Sequence, residues 1–110
     1  MVANLNKFMD TGENIKWEME KLGNGWKLSD NSKKISKEFF LPDFLPALDF
    51  VRLVGEDAEK RDHHPDIHIY LRKVVYELTT YDAAGTLTAK DFESAKGIDQ
   101  IFEQFIGENK

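Results

Sequence analysis

The chain has 110 residues, with 15 basic and 20 acidic side chains, a formal net charge of −5 and no cysteine. That length, with 41% apolar and 12% aromatic residues, fits one folded domain over 1–110, and the lack of cysteine excludes disulfide frameworks, thiolate nucleophiles and cysteine-bound zinc. The acidic balance, with Lys33-Lys34 and Arg72-Lys73 as isolated basic pairs, argues against nucleic-acid binding, and no apolar run approaches membrane-spanning length.

Residues 1–10 are expected to be a flexible N-terminal extension. Their opening lacks the basic-then-apolar layout of a signal peptide, so a soluble cytoplasmic protein is the expectation. Residues 11–22 read as a first helix. Thr11 is its candidate N-cap, and Ile15, Met19 and Leu22 form its apolar stripe. Gly23-Asn24-Gly25 ends it. Trp26-Lys27-Leu28 opens a short strand, Ser29–Ser32 is a turn by composition, and Ile35, Phe39 and Leu41 belong to a returning strand.

Asp43 is the expected N-cap of a long helix, with Pro46 tolerated in its first turn. Phe44, Leu48, Val51 and Ala58 recur at helical spacing, and Leu45 and Leu53 widen that face. Arg52, Glu56, Glu59 and Lys60 take the other side. Pro65 requires the helix to stop near Arg61. Ile67, Ile69 and Leu71 then alternate at strand period. Val74, Tyr76, Leu78 and Thr80 do the same after a turn near Arg72-Lys73. Asp82–Gly85 is a loop. Thr88 and Asp91 resemble a capping box, and Phe92, Ala95, Ile98, Ile101, Phe102 and Phe105 line a last helix that Gly107 closes. The order is αββαββα, an α+β fold: a four-stranded antiparallel sheet with helices on one face. Its uncovered face and edges invite self-association.

The chemistry concentrates in Asp62-His63-His64-Pro65-Asp66. Histidine exchanges protons near neutrality. Glu59, Asp62 and Asp66 are placed to fix a tautomer or favour the protonated ring. A His-His pair in a loop also reads as a solvated turn. His64 and His68 are four apart, as on a zinc-binding helix, but Pro65, the strand alternation and the lack of an intervening glutamate argue against that motif.

Glu59 followed after three residues by His63-His64-Pro65 resembles the signature of the pterin-4a-carbinolamine dehydratases. Gly25-Trp26, Asp43-Phe44, Lys73-Val74, Leu78-Thr79-Thr80, Gly85, Leu87-Thr88 and Asp91 fall in that family's order, so the likeness covers nearly all of the chain from Gly25 onward. It implies dehydration of 4a-hydroxytetrahydropterin to quinonoid dihydropterin in the recycling of tetrahydrobiopterin, with no metal, nucleotide or redox cofactor. By position, His63 would be the acid–base group and His64 would hold the pterin. Pro65 would shape the pocket, with Glu59 and Asp62 beside it, and Thr80, Asp82 and Ala83 would form the opposite wall. Asp91 matches the family's trailing acid, and Trp26 would pack either near the pocket or in the core. Tyr81 stands where the family places a third histidine, and would act in its stead; His68 is the other candidate replacement. The resemblance further implies a homodimer or homotetramer, while the net charge of −5 and the lack of a long apolar run speak against a direct nucleic-acid or membrane partner. It also leaves open an alternative role, in which a catalytically weakened fold serves as a dimerisation or assembly partner of another protein.

Overall fold

A computed structural model describes residues 12–23 and 25–108. Along the chain run α1 (Gly12–Leu22), β1 (Lys27–Leu28), β2 (Ile35–Phe40), α2 (Phe44–Arg61), β3 (Asp66–Tyr70), β4 (Lys73–Leu78) and α3 (Ala89–Glu108), with a 3-10 turn at Tyr81–Ala83. This is the αββαββα order read from the sequence. The candidate cap Thr11, the segment 1–10 and Asn24 lie outside the described residues.

Local chemistry explains most boundaries. The Asp43 carboxylate accepts from the Phe44 N–H at 2.9 Å, at the start of α2. That helix stops because Asp62 adopts the left-handed conformation, with φ 52°, and its N–H returns to the carbonyls of Ala58 and Glu59. The reversal comes three residues before Pro65, so the loop carrying both histidines leaves the helix already turned. Gly23, at φ 82°, follows α1 in the same conformation. Two expectations shift. Gly107 lies within α3, which continues to Glu108. The second hairpin turns at Leu71-Arg72 rather than Arg72-Lys73, and Leu71 takes φ 55° there, out of the strand pattern assigned to it.

The strand order is β1-β2-β4-β3, and every pairing is antiparallel. Ile35 and Phe39 of β2 therefore share a face with Val74, Tyr76 and Leu78 of β4, and all five are buried. The helices cover this face. Phe39, Phe50 and Tyr76 meet edge to face with ring centres 5.2–5.7 Å apart, and Phe102 closes on Phe39 at 4.9 Å. Met19, Leu22, Phe92, Ala95, Ile98 and Phe105 complete the core with Ile15.

Helix α2 is apolar on two flanks, and the one it buries is not the one the spacing favoured. Ala47, Phe50, Val54 and Ala58 face the sheet, with Val51 packed beside them. Phe44, Leu45, Leu48 and Leu53 are exposed, Leu45 at 68%. Periodicity detects an apolar stripe but does not choose between two. Ile67 and Ile69 stand opposite Tyr76 and Val74, on the covered face, yet remain 37% and 38% exposed because β3 is an edge strand.

Trp26 is a core residue. It packs against Phe39 with its ring centre at 6.4 Å and donates from Nε1 to the Asp99 carboxylate at 2.9 Å. Lys37 donates to the other oxygen of Asp99 at 2.7 Å, so one α3 carboxylate ties down the first hairpin. Near the other end of the sheet, Gly97 leaves room for the Arg61–Asp57 ion pair of α2; a Cβ there would sit 2.6 Å from the Arg61 guanidinium. That approach sets where α2 delivers the histidine loop.

Candidate active site

His63 follows the Asp62 reversal directly, and its N–H donates to the Ala58 carbonyl at 3.1 Å. The backbone thus aims its ring inward against the first turn of α3. There Nε2 donates to Asp91 Oδ1 at 2.7 Å. Asp91 is 0% exposed. Its other oxygen accepts from the Thr80 hydroxyl at 2.7 Å and from the Thr88 N–H at 2.9 Å. The Lys90 N–H in turn reaches the Thr88 hydroxyl at 3.3 Å. The Asp91–Thr88 bond is one half of the capping box anticipated there; the Thr88 hydroxyl caps the N–H of Lys90 instead of that of Asp91, which returns to the Thr88 carbonyl at 3.1 Å. One buried carboxylate therefore caps α3 and anchors His63. An ionised carboxylate only accepts, so the His63–Asp91 contact places a hydrogen on Nε2 and leaves Nδ1 as the ring nitrogen free of that contact.

His64 is the more exposed ring. Its Nε2 donates to the Glu59 carboxylate, five residues back on the last turn of α2. Glu59 and Asp91 thus act on separate histidines from separate helices, and each engages an Nε2.

Both rings line one cleft of about 280 Å³ between the loop and the end of β4. Asp62, Pro65 and Asp66 complete its near side; Thr79, Thr80, Tyr81 and Asp82 form the far side, and Lys90 reaches it from α3. Tyr81 shares the cleft with both histidines. Its hydroxyl donates to Asp66 Oδ2 at 3.1 Å, and the ring is 64% exposed. That hydrogen bond and the charge of Asp66 push the phenol above its ordinary pKa, with smaller opposing help from Lys34. Tyr81 is therefore a standing hydrogen-bond donor rather than a ready proton source.

Other candidates fall elsewhere. Asp91 lies behind His63 and does not line the cleft, so its position suits orientation rather than contact with a bound molecule. Ala83 is also off the cleft; its N–H and carbonyl bond Thr80 and Thr86 within the turn. His68 sits on β3, bonded to Glu77 at 3.2 Å and stacked on Tyr70, and is not part of the wall. A groove of about 310 Å³ between α2 and α3 is as roomy as the cleft but gathers no histidine. Sequence reading passed over Lys90, which no motif marks, and Thr79, which was noted only for its place in the family order. Thr79 holds the cleft wall through a 2.7 Å bond from its hydroxyl to the Lys33 carbonyl.

The family model described as pterin 4 alpha carbinolamine dehydratase matches residues 10–101. A Saccharolobus solfataricus protein provisionally named pterin-4-alpha-carbinolamine dehydratase is 42% identical over 87 residues, covering 78% of this chain and 89% of its own. A Roseiflexus protein under the same provisional name is 50% identical over 84 residues, covering 74% and 87%. Among solved structures, a transcriptional coactivator/pterin dehydratase from Brucella melitensis superposes with a TM-score of 0.77 at 27% identity, over 83% of this chain and 95% of that one. A pterin dehydratase-like protein described as a RuBisCO assembly factor in the alpha-carboxysome shares the fold, with a TM-score of 0.61 at 15% identity over 73% and 92%.

Proposed function

Because this chain belongs to the pterin-4a-carbinolamine dehydratase family, we propose that it removes water from a 4a-hydroxytetrahydropterin to give quinonoid dihydropterin, in the recycling of a tetrahydropterin. The observation that carries this reading is the pairing of each cleft histidine, through Nε2, with a carboxylate from a different helix. Such pairing fixes both tautomers and leaves each Nδ1 for proton exchange.

In the proposed reaction, the Nδ1 lone pair of His63 takes the proton from N5 of the pterin. The N5–H electron pair becomes the C4a=N5 bond as the C4a–O bond breaks. The departing oxygen takes a proton from a cleft imidazolium and leaves as water. Asp91 holds the His63 ring in orientation throughout and stabilises its charged form. His64, steadied by Glu59, positions the pterin and serves as the second proton carrier. Tyr81 gives its one hydroxyl hydrogen to Asp66 and so can only accept a hydrogen bond from the leaving hydroxyl; the proton transfer rests on the histidines. Asp62, Asp82 and Thr80 bind the ring, and Pro65 holds the loop.

Stopped-flow measurement on enzymatically generated 4a-hydroxytetrahydropterin tests this reading. A dehydration rate clearly above the uncatalysed one is expected, and equality of the two rates overturns it.

The exposed flank of α2 at Phe44, Leu45, Leu48 and Leu53 supports a further reading, that the chain self-associates as a dimer or tetramer through this apolar surface. Sedimentation of Leu45→Asp should then show a smaller species than the unsubstituted protein. A monomer that instead captures a different protein through this flank would favour the assembly-partner role.

A further inference from the structure

Lys90 brings an exposed ammonium to a cleft whose other charged side chains, the histidines aside, are carboxylates. Asp62, Asp66 and Asp82 line the same space. Among the described residues the Lys90 ammonium makes no ion pair or hydrogen bond, and the carboxylates of Asp62 and Asp82 are equally without partners. Lys90 is also the second residue of α3. A helix start carries partial positive charge and favours acidic side chains, so helix stability does not explain a lysine there. The position is electrostatically wrong for the helix and useful for the cleft.

The other donor on the far wall is already engaged. Tyr81 gives its hydroxyl hydrogen to Asp66. Three aspartates make the cleft inhospitable to an anionic ligand. They suit a neutral one whose edge carries donors beside an acceptor. The pteridine edge has this layout, with a 2-amino group, an N3–H and a 4-oxo oxygen in a row.

Resting on the dehydratase reading above, we infer that Lys90 is a specificity residue that donates to the 4-oxo oxygen of the pterin, while Asp62 and Asp82 accept from its 2-amino and N3 donors. The ring is thereby held by its pyrimidine half, and the reactive C4a, next to the 4-oxo carbon, is presented to the histidines. Lys90 orients the ring and takes no proton in the reaction.

The test uses two ligands that differ at C4 and, through the tautomer that C4 sets, in the hydrogen on N3. 6-Hydroxymethylpterin has an acceptor there, and 2,4-diamino-6-hydroxymethylpteridine has a donor. Binding of each is measured by calorimetry at neutral pH to the unsubstituted protein, Lys90→Met and Lys90→Arg. A charge-assisted hydrogen bond predicts that the unsubstituted protein prefers the 4-oxo ligand by about tenfold or more. Lys90→Met should shrink that preference by about fivefold or more, leaving only the share that the N3 contact contributes, and Lys90→Arg should keep most of it. An unchanged ratio in Lys90→Met, or an equal loss of affinity for both ligands, overturns the role of Lys90 and leaves the dehydratase reading standing. Binding of neither ligand by the unsubstituted protein overturns both.

Discussion

His63 and Asp91 are 28 residues apart in the chain and 2.7 Å apart in the fold, and the carboxylate that orients the ring is the one that caps α3. Its remaining oxygen also holds Thr80 on the cleft wall. Helix start, histidine loop and β4 end are thus joined at one buried group.

The two ends of that joint should separate by substitution. Asp91→Ala leaves His63, Thr80 and the Thr88 N–H without their acceptor, and a buried unsatisfied group costs about 1–3 kcal/mol. A loss of about 3–5 kcal/mol is expected, read as a fall in melting temperature of more than ~10 °C. Asp91→Asn keeps the shape but places an NH₂ among donors and disfavours the Nε2–H tautomer. Dehydration should fall by about 10²–10⁴-fold with a smaller melting shift. Equal activity in Asp91→Asn and the unsubstituted protein would remove Asp91 from the mechanism.

His63→Ala should cost more activity than Tyr81→Phe. The histidine loss removes a positioned acid–base group, worth about 10²–10⁴-fold. The phenylalanine loses only a hydrogen bond at an exposed ring, so a change of less than about tenfold is expected. Steady-state rates of the two variants decide the order, and the reverse ranking would reassign the chemistry to Tyr81.

Tyr81 should stay protonated beyond pH 10, because Asp66 accepts its hydrogen and opposes the phenolate. The phenol's pKa is raised in the folded state, so this contact contributes stability fully at lower pH and loses it as pH rises through the folded value. Difference titration at the phenolate absorbance, against Tyr81→Phe, gives the group alone. Asp66→Asn should bring its midpoint down toward the ordinary tyrosine value; an unmoved midpoint would deny the contact.

Asp99→Ala should weaken the fold without touching the site. It strips Trp26 and Lys37 of their shared acceptor, a loss of about 1–3 kcal/mol. Urea unfolding should show the lower midpoint, while kcat per folded molecule stays unchanged. A fall in kcat would place Trp26 nearer the chemistry than its core contacts do.

Much of this was legible in the sequence where the signal is local. Asp43, Gly23 and the Thr88–Asp91 spacing mark helix ends through bonds that close within a turn. The histidine loop stood out because a proline and two imidazoles follow a helical stripe. What was hidden depends on long-range packing. The choice between Phe50 and Leu48 as the buried side of α2 is made by the sheet, not by the helix. The exposure of Ile67 and Ile69 follows from strand order. Asp91 was visible as a capping acid, but its attachment to His63 needed the closure of two hairpins and a helix. Lys90 carried no pattern at all and is recognised only by the company it keeps in the cleft.

The double duty of Asp91 makes the competence of the site hostage to the fraying of one helical turn. If the first turn of α3 opens, as helix ends do before a domain unfolds, the His63 ring loses its anchor while the sheet and aromatic core persist. The protein would then pass through warm conditions in which it is still folded by any bulk measure yet catalytically silent, and would recover as soon as that turn re-formed.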